Sequence, residues 1–104
     1  MPWGNRMTVD QNAWPEAKDY FMIFARGADD HKGRRFLYNG EEVRTSDDGE
    51  KLYIGRAGTS GIEFIMQQGT PDVWAYYPVD GSIEWKADDI YSFVKGWMAG
   101  DIKV

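Results

Sequence analysis

The sequence predicts an α+β fold: a mostly antiparallel sheet of about six strands, joined by hairpins, with a C-terminal helix packed on one face. Three observations predict it. Side chains alternate over residues 62–67 and 73–77 with the period of two that a strand imposes. Turn pairs such as Asn39-Gly40 and Asp80-Gly81 punctuate the chain at strand-length intervals. Ile90, Phe93, Val94, Trp97 and Met98 recur at i, i+3, i+4, i+7 and i+8, the spacing of one helical face.

Taken in order, residues 1–12 are polar, with scattered apolar side chains and no period, and read as a loosely held arm. Trp14-Pro15-Glu16-Ala17-Lys18 suits the start of a helix, because proline is tolerated at the first helical position. The continuous aromatic run Tyr20-Phe21-Met22-Ile23-Phe24 reads as a strand over 19–26, closed by Arg26-Gly27. Residues 28–33 form a polar turn. A strand over 35–38 meets Asn39-Gly40, the strongest short-range hairpin signal, with a returning strand over 41–45. Ser46-Asp47-Asp48-Gly49 is a second turn, before a strand over 51–54 and a glycine-rich loop over 55–61.

Ile62, Phe64 and Met66 then mark the buried side of a strand, and Glu63, Ile65 and Gln67 its other side. Val73, Ala75 and Tyr77 alternate with Trp74 and Tyr76, so both sides of that strand are apolar and it belongs in the middle of the sheet. Pro78 suits its end. Ile83-Glu84-Trp85 supplies the last strand. Asp88 is placed to cap the final helix, Asp89 to favour its positive end, and Gly100 to stop it. Gly96, costly inside a helix, suggests close approach to the sheet.

The chain has 104 residues, enough for one domain with a small core, and its 15% aromatic content is how so short a chain reaches adequate burial. Without cysteine it has neither disulfides nor thiolate metal sites, which fits a reducing cytoplasm. The N-terminus lacks the apolar core of a signal peptide, and no apolar run approaches the length of a membrane span. The net charge of −5, concentrated over residues 27–50, disfavours direct contact with nucleic acid and favours a basic protein partner.

Catalytic and metal-binding motifs are not legible. His31, the single histidine, follows Asp29 and Asp30 but has no recognisable nucleophile to serve, and one histidine falls short of a metal set. Asp47-Asp48-Gly49-Glu50 resembles a calcium loop only in composition, since Gly49 and Lys51 fall where oxygen ligands are needed. The loop over 55–61 offers backbone amides to an anion, but a strand follows it where phosphate loops require a helix. Trp74, Tyr76, Tyr77 and Trp85 are first of all core material. One helix cannot cover both faces of the sheet, however, so some of Ile65, Trp74, Tyr76 and Trp85 should lie on an uncovered face, unless the N-terminal arm closes it.

The second half carries a family resemblance. Gly58-Thr59-Ser60-Gly61-Ile62-Glu63-Phe64, then Val73-Trp74-Ala75-Tyr76-Tyr77-Pro78, then Ala87-Asp88-Asp89-Ile90-Tyr91-Ser92-Phe93 with Gly96-Trp97 resemble the C-terminal half of the SUKH superfamily (Smi/Knr type) over about residues 51–104. The family's opening helices around a Leu-Pro segment, and its Gly-Gly pair, have no counterpart in residues 1–50. Thr59 or Ser60 stands where the family's turn carries an acid. The resemblance implies a non-enzymatic, cofactor-free protein-binding domain like the bacterial immunity proteins that neutralise a cognate toxin, here a basic one. The expected partner contacts are Asp29, Asp30, Asp47, Asp48, Glu63, Gln67, Trp74 and Tyr76. A small-molecule or nucleotide-binding domain using the 55–61 loop and the aromatic face, or a structural component of a larger assembly, are the alternatives.

Overall fold

The computed structural model describes residues 9–104. Its elements run α1 (Lys18–Ile23), β1 (Ala28–Asp29), β2 (Arg35–Leu37), β3 (Arg44–Thr45), β4 (Lys51–Arg56), β5 (Glu63–Gln67), β6 (Thr70–Tyr77), β7 (Ser82–Ala87) and α2 (Ile90–Ala99), with short 3-10 turns at Gln11–Ala13 and Pro15–Ala17. All seven strands join one antiparallel sheet in the order β1-β2-β4-β5-β6-β7, with β3 also on β4. The α+β architecture and the C-terminal helix against the sheet are those the periodicity predicts. Within the expected arm, residues 1–8, Trp3 among them, lie outside the described residues. Val9 packs against the core and Asp10 accepts from the Asn12 amide to start the first 3-10 turn.

The front half departs from the prediction in three places. The strand expected over 19–26 is helical. Trp14, Ala17, Tyr20 and Phe21 are buried together, a spacing of three and four, while Met22 is 70% exposed. The run looks continuous only when it is counted from Tyr20; counted from Trp14 it is one helical stripe. Residues 28–33 are not a bare turn either. β1 pairs with β2, and the Asp30 carboxylate closes the link by accepting from the Lys32 and Arg34 amides, both at 2.9 Å.

Asn39-Gly40 does not form a two-residue hairpin. β2 and β3 run in the same direction along the same edge of β4, with Leu37 opposite Gly55 and Arg44 opposite Tyr53. They are two pieces of one edge strand, interrupted by an excursion over 38–43. The excursion has its own satisfactions: the Tyr38 amide still donates to Ile54 O (2.7 Å), the Gly40 amide donates to Ala25 O (2.6 Å), and Val43 is buried. The returning strand expected over 41–45 therefore shrinks to β3. The β3–β4 hairpin through Ser46, Asp47, Asp48 and Gly49 forms as expected, with the Ser46 amide donating to Lys51 O (2.9 Å).

The core lies on one face of the sheet. Leu52, Ile54, Phe64, Met66, Val73 and Ala75 from the strands join Trp14, Ala17, Tyr20 and Phe21 from the front helical segment and Ile90 and Phe93 from α2. Phe64 packs edge-on to Phe93 (ring centroids 4.6 Å) and to Trp97 (5.1 Å). At the start of α2 the cap is Asp89, not Asp88: its carboxylate accepts from the Ser92 amide at 2.8 Å. Gly100 closes the helix in the left-handed conformation, φ 79°. Gly96 makes room for the tail rather than the sheet, since a Cβ there would sit 2.6 Å from Ile102 Cδ1.

Candidate functional site

The face away from the helices is built by strand alternation. Tyr53 stands opposite Ile65, Ile65 opposite Trp74, Trp74 opposite Trp85, and Tyr76 opposite both Glu63 and Ile83. Ile65 is fully buried yet outside the main core cluster, which marks this side as a second, thinner apolar layer. Tyr53 and Tyr76 meet edge to face at 6.0 Å. Trp85 is 49% exposed, and Tyr53, Trp74, Tyr76 and Ile83 are each half-buried. Trp74 Nε1 is buried with no acceptor among the described residues.

The eight residues expected to contact a partner divide into groups. Glu63, Gln67, Trp74 and Tyr76 come together on this face. Asp47 and Asp48 sit at its end, in the β3–β4 turn, where Asp48 accepts from Ser46 Oγ and the Glu50 amide and is held below the usual carboxylate range, first by the Ser46 bond. Asp29 and Asp30 lie at the opposite sheet edge and face arginines. Asp29 Oδ1 pairs with Arg35 Nε at 2.8 Å, and Asp30 lies 4.0 Å from Arg34 Nε. Asp30 is lowered chiefly by the Arg34 amide.

Glu63 is also engaged. It accepts two bonds from Arg44, at 3.0 and 2.8 Å, and a third from the Tyr38 hydroxyl at 2.8 Å. This arrangement raises Arg44, mainly through the Glu63 bond, and pushes Tyr38 up to about 12, first by burial and then by the same carboxylate. The Arg44 guanidinium lies 4.1 Å from the centroid of the Tyr53 ring, which ties this ion pair to the aromatic face.

Sequence reasoning missed what surrounds Glu63. Arg34, Arg35, Arg44 and Arg56 line an open cleft of about 940 Å³ together with the loop 58–61. The interrupted edge strand explains the gathering. β2 supplies Arg35 and the turn before it Arg34, β3 supplies Arg44, and β4 ends in Arg56 beside Glu63. A signal for this was present, since four of the six arginines fall between residues 34 and 56 of an acidic chain. It was hidden because hairpin topology decides which of them meet. His31 is exposed in the β1–β2 turn, and among the described residues no three His, Cys, Asp or Glu side chains converge as a metal set.

Comparison of the chain with family models, curated proteins and solved structures returns no match. No described helix is long and apolar enough to cross a membrane.

Proposed function

We propose that this chain is a non-enzymatic protein-binding domain that docks a basic protein on the sheet face away from its helices, in the manner of the immunity proteins its second half resembles. The observation that carries the reading is the cross-strand pair of Trp74 and Trp85, flanked by Tyr76 and Ile83, on a half-open face. Tryptophan and tyrosine dominate the energetics of protein interfaces because they bury large areas at low entropic cost. Charge argues for the kind of partner. The net charge is −5, and acidic turns stand at both ends of the aromatic strip, Asp47 and Asp48 at one and Asp80 at the other. Such a field steers a cationic surface toward the strip. The short helix α1, where the sequence suggests a strand, also brings the front half nearer to the family's helical opening.

The reading places the domain in the cytoplasm, with which a cysteine-free chain is compatible. The toxin class of partner rests on the resemblance. Affinity capture from the host, run in parallel with wild type and Trp85→Ala, tests the proposal. The expected result is a basic protein retained by wild type and lost from the variant, with retention falling as salt rises. Equal retention by both proteins, or an acidic partner, overturns it.

A further inference from the structure

The arginine cleft is a different surface from the tryptophan strip and asks for a different ligand. A chain with a net charge of −5 has gathered four of its six arginines into one open cleft. Carboxylates answer them incompletely. Arg44 is fully engaged by Glu63, Arg35 by Asp29, and Arg34 only loosely by Asp30, while Arg56 makes no ion pair among the described residues. Exposed ion pairs of this kind contribute little to folding and reopen readily, so Arg34 and Arg56 can turn to an anion at once, with Arg35 and Arg44 held beside them by Asp29, Arg26 O and Glu63.

The loop 58–61, which also lines the cleft, adds neutral donors. The backbone amides of Gly58, Thr59, Ser60 and Gly61 have no acceptor among the described residues. Gly58, Ser60 and Gly61 hold positive φ angles of 85°, 55° and 71°, and Ser60 is the one described non-glycine residue in that region. Over residues 57–60 the sign of φ alternates, the kind of backbone that turns successive amides toward a common side in an anion-binding concavity, and Gly61 continues the left-handed turn. Strain at Ser60 is retained where the surrounding loop demands it. The helix that a phosphate loop needs is absent here, and the guanidinium groups supply the positive charge instead.

We propose that this cleft binds a small phosphorylated molecule of nucleotide size. Arginine forks match phosphate oxygens two bonds at a time, which favours phosphate over a single carboxylate. The cleft volume lies at the upper end of small-molecule sites, well beyond one inorganic phosphate. A nucleic-acid strand is disfavoured because the positive charge is local. Asp29 and Glu42 share the adjoining depression with Arg35, Arg44 and Arg56, and a chain of net charge −5 does not favour a polymer's phosphates beyond it. The cleft meets the docking face at Glu63 and Arg44, and the proposal does not depend on that reading.

Titration calorimetry with pyrophosphate, ADP, AMP, adenosine and a 12-nucleotide single strand tests the proposal, on wild type, Arg56→Ala, Arg34→Ala/Arg56→Ala and, as a charge control, Lys95→Ala on α2. Arg34 and Arg56 are exposed and make no contact the core depends on, and thermal melts of each variant confirm that it folds. The expected result is binding of ADP and pyrophosphate, none of adenosine, a loss of about tenfold or more in Arg56→Ala, a larger loss in the double variant, and no change in Lys95→Ala. No binding of any phosphorylated probe, an equal loss in Lys95→Ala, or tighter binding of the oligonucleotide than of ADP overturns it. Partner capture by Arg56→Ala keeps the two readings apart, because this variant should hold the basic protein as wild type does.

Discussion

The two faces of the sheet both carry aromatic rings and use them differently. On the covered face, Phe64 interlocks with Phe93 and Trp97 of α2, ring centroids 4.6 to 6.5 Å apart, and Phe64 and Phe93 are fully buried. On the other face, Tyr53, Trp74, Tyr76 and Trp85 stand over the single buried side chain of Ile65, and each keeps part of its surface in solvent. Strand alternation distributes rings to both sides without regard to what will cover them. The helices decide which rings become core. What they leave is an apolar strip that costs little to keep and is worth most when a partner covers it.

The largest expected effect separates the faces by stability. Phe64→Ala should cost about 3–5 kcal/mol in urea unfolding, the range for deleting a large core ring. Trp85→Ala, half exposed, should cost less than about 1 kcal/mol. Equal losses would erase the distinction. Next comes Gly55→Ala. A Cβ at Gly55 would overlap the carbonyl oxygen of Phe36, so the edge strand must shift away from β4, with an expected loss of about 1–3 kcal/mol. A neutral result would show that β2 is not held where it forms the wall of the arginine cleft. Asp89→Ala removes the cap of the covering helix and should cost about 1 kcal/mol by the same measurement, with no effect on the open face.

The smallest effect is a pH dependence. The Tyr38 pKa is raised in the fold to about 12 from an ordinary value near 10, by burial first and by Glu63 second. A raised folded pKa favours the protonated folded state. Its stabilisation is therefore complete below the unfolded value and is lost as pH rises through the folded one. Melts of wild type and Tyr38→Phe should run parallel up to about pH 10. Above it wild type should fall more steeply, until about pH 12. Parallel curves throughout would mean that Tyr38 is neither buried nor bonded to Glu63 in solution as it is in the fold.

The back half was readable because each of its elements satisfies one rule at a time. The alternation over β5 and β6 names both faces correctly, and α2 declares its stripe and its Gly100 stop. Even so, the cap moved by one residue to Asp89, and Gly96 proved to accommodate Ile102 rather than the sheet. The front half was harder because its signals compete. Tyr20 to Phe24 satisfies a strand by composition and a helix by spacing, and the choice is made by tertiary burial of Trp14 and Ala17 one turn earlier. Asn39-Gly40 has hairpin chemistry, yet Gly40 is drawn to Ala25, and the chain resumes the same edge of β4. The site followed suit. Glu63, Gln67, Trp74 and Tyr76 were assembled by register alone, whereas the meeting of Arg34, Arg35, Arg44 and Arg56 depends on that resumed edge, which no local pattern encodes.

Hydroxyl-radical footprinting of the free protein tests most directly the claim that one aromatic face is closed and the other open for docking. Trp85 should oxidise rapidly, Trp74 more slowly and Trp14 hardly at all, since Trp14 is 2% exposed against 49% for Trp85. Protection of Trp85 to the level of Trp14 in the unpartnered protein would contradict that claim.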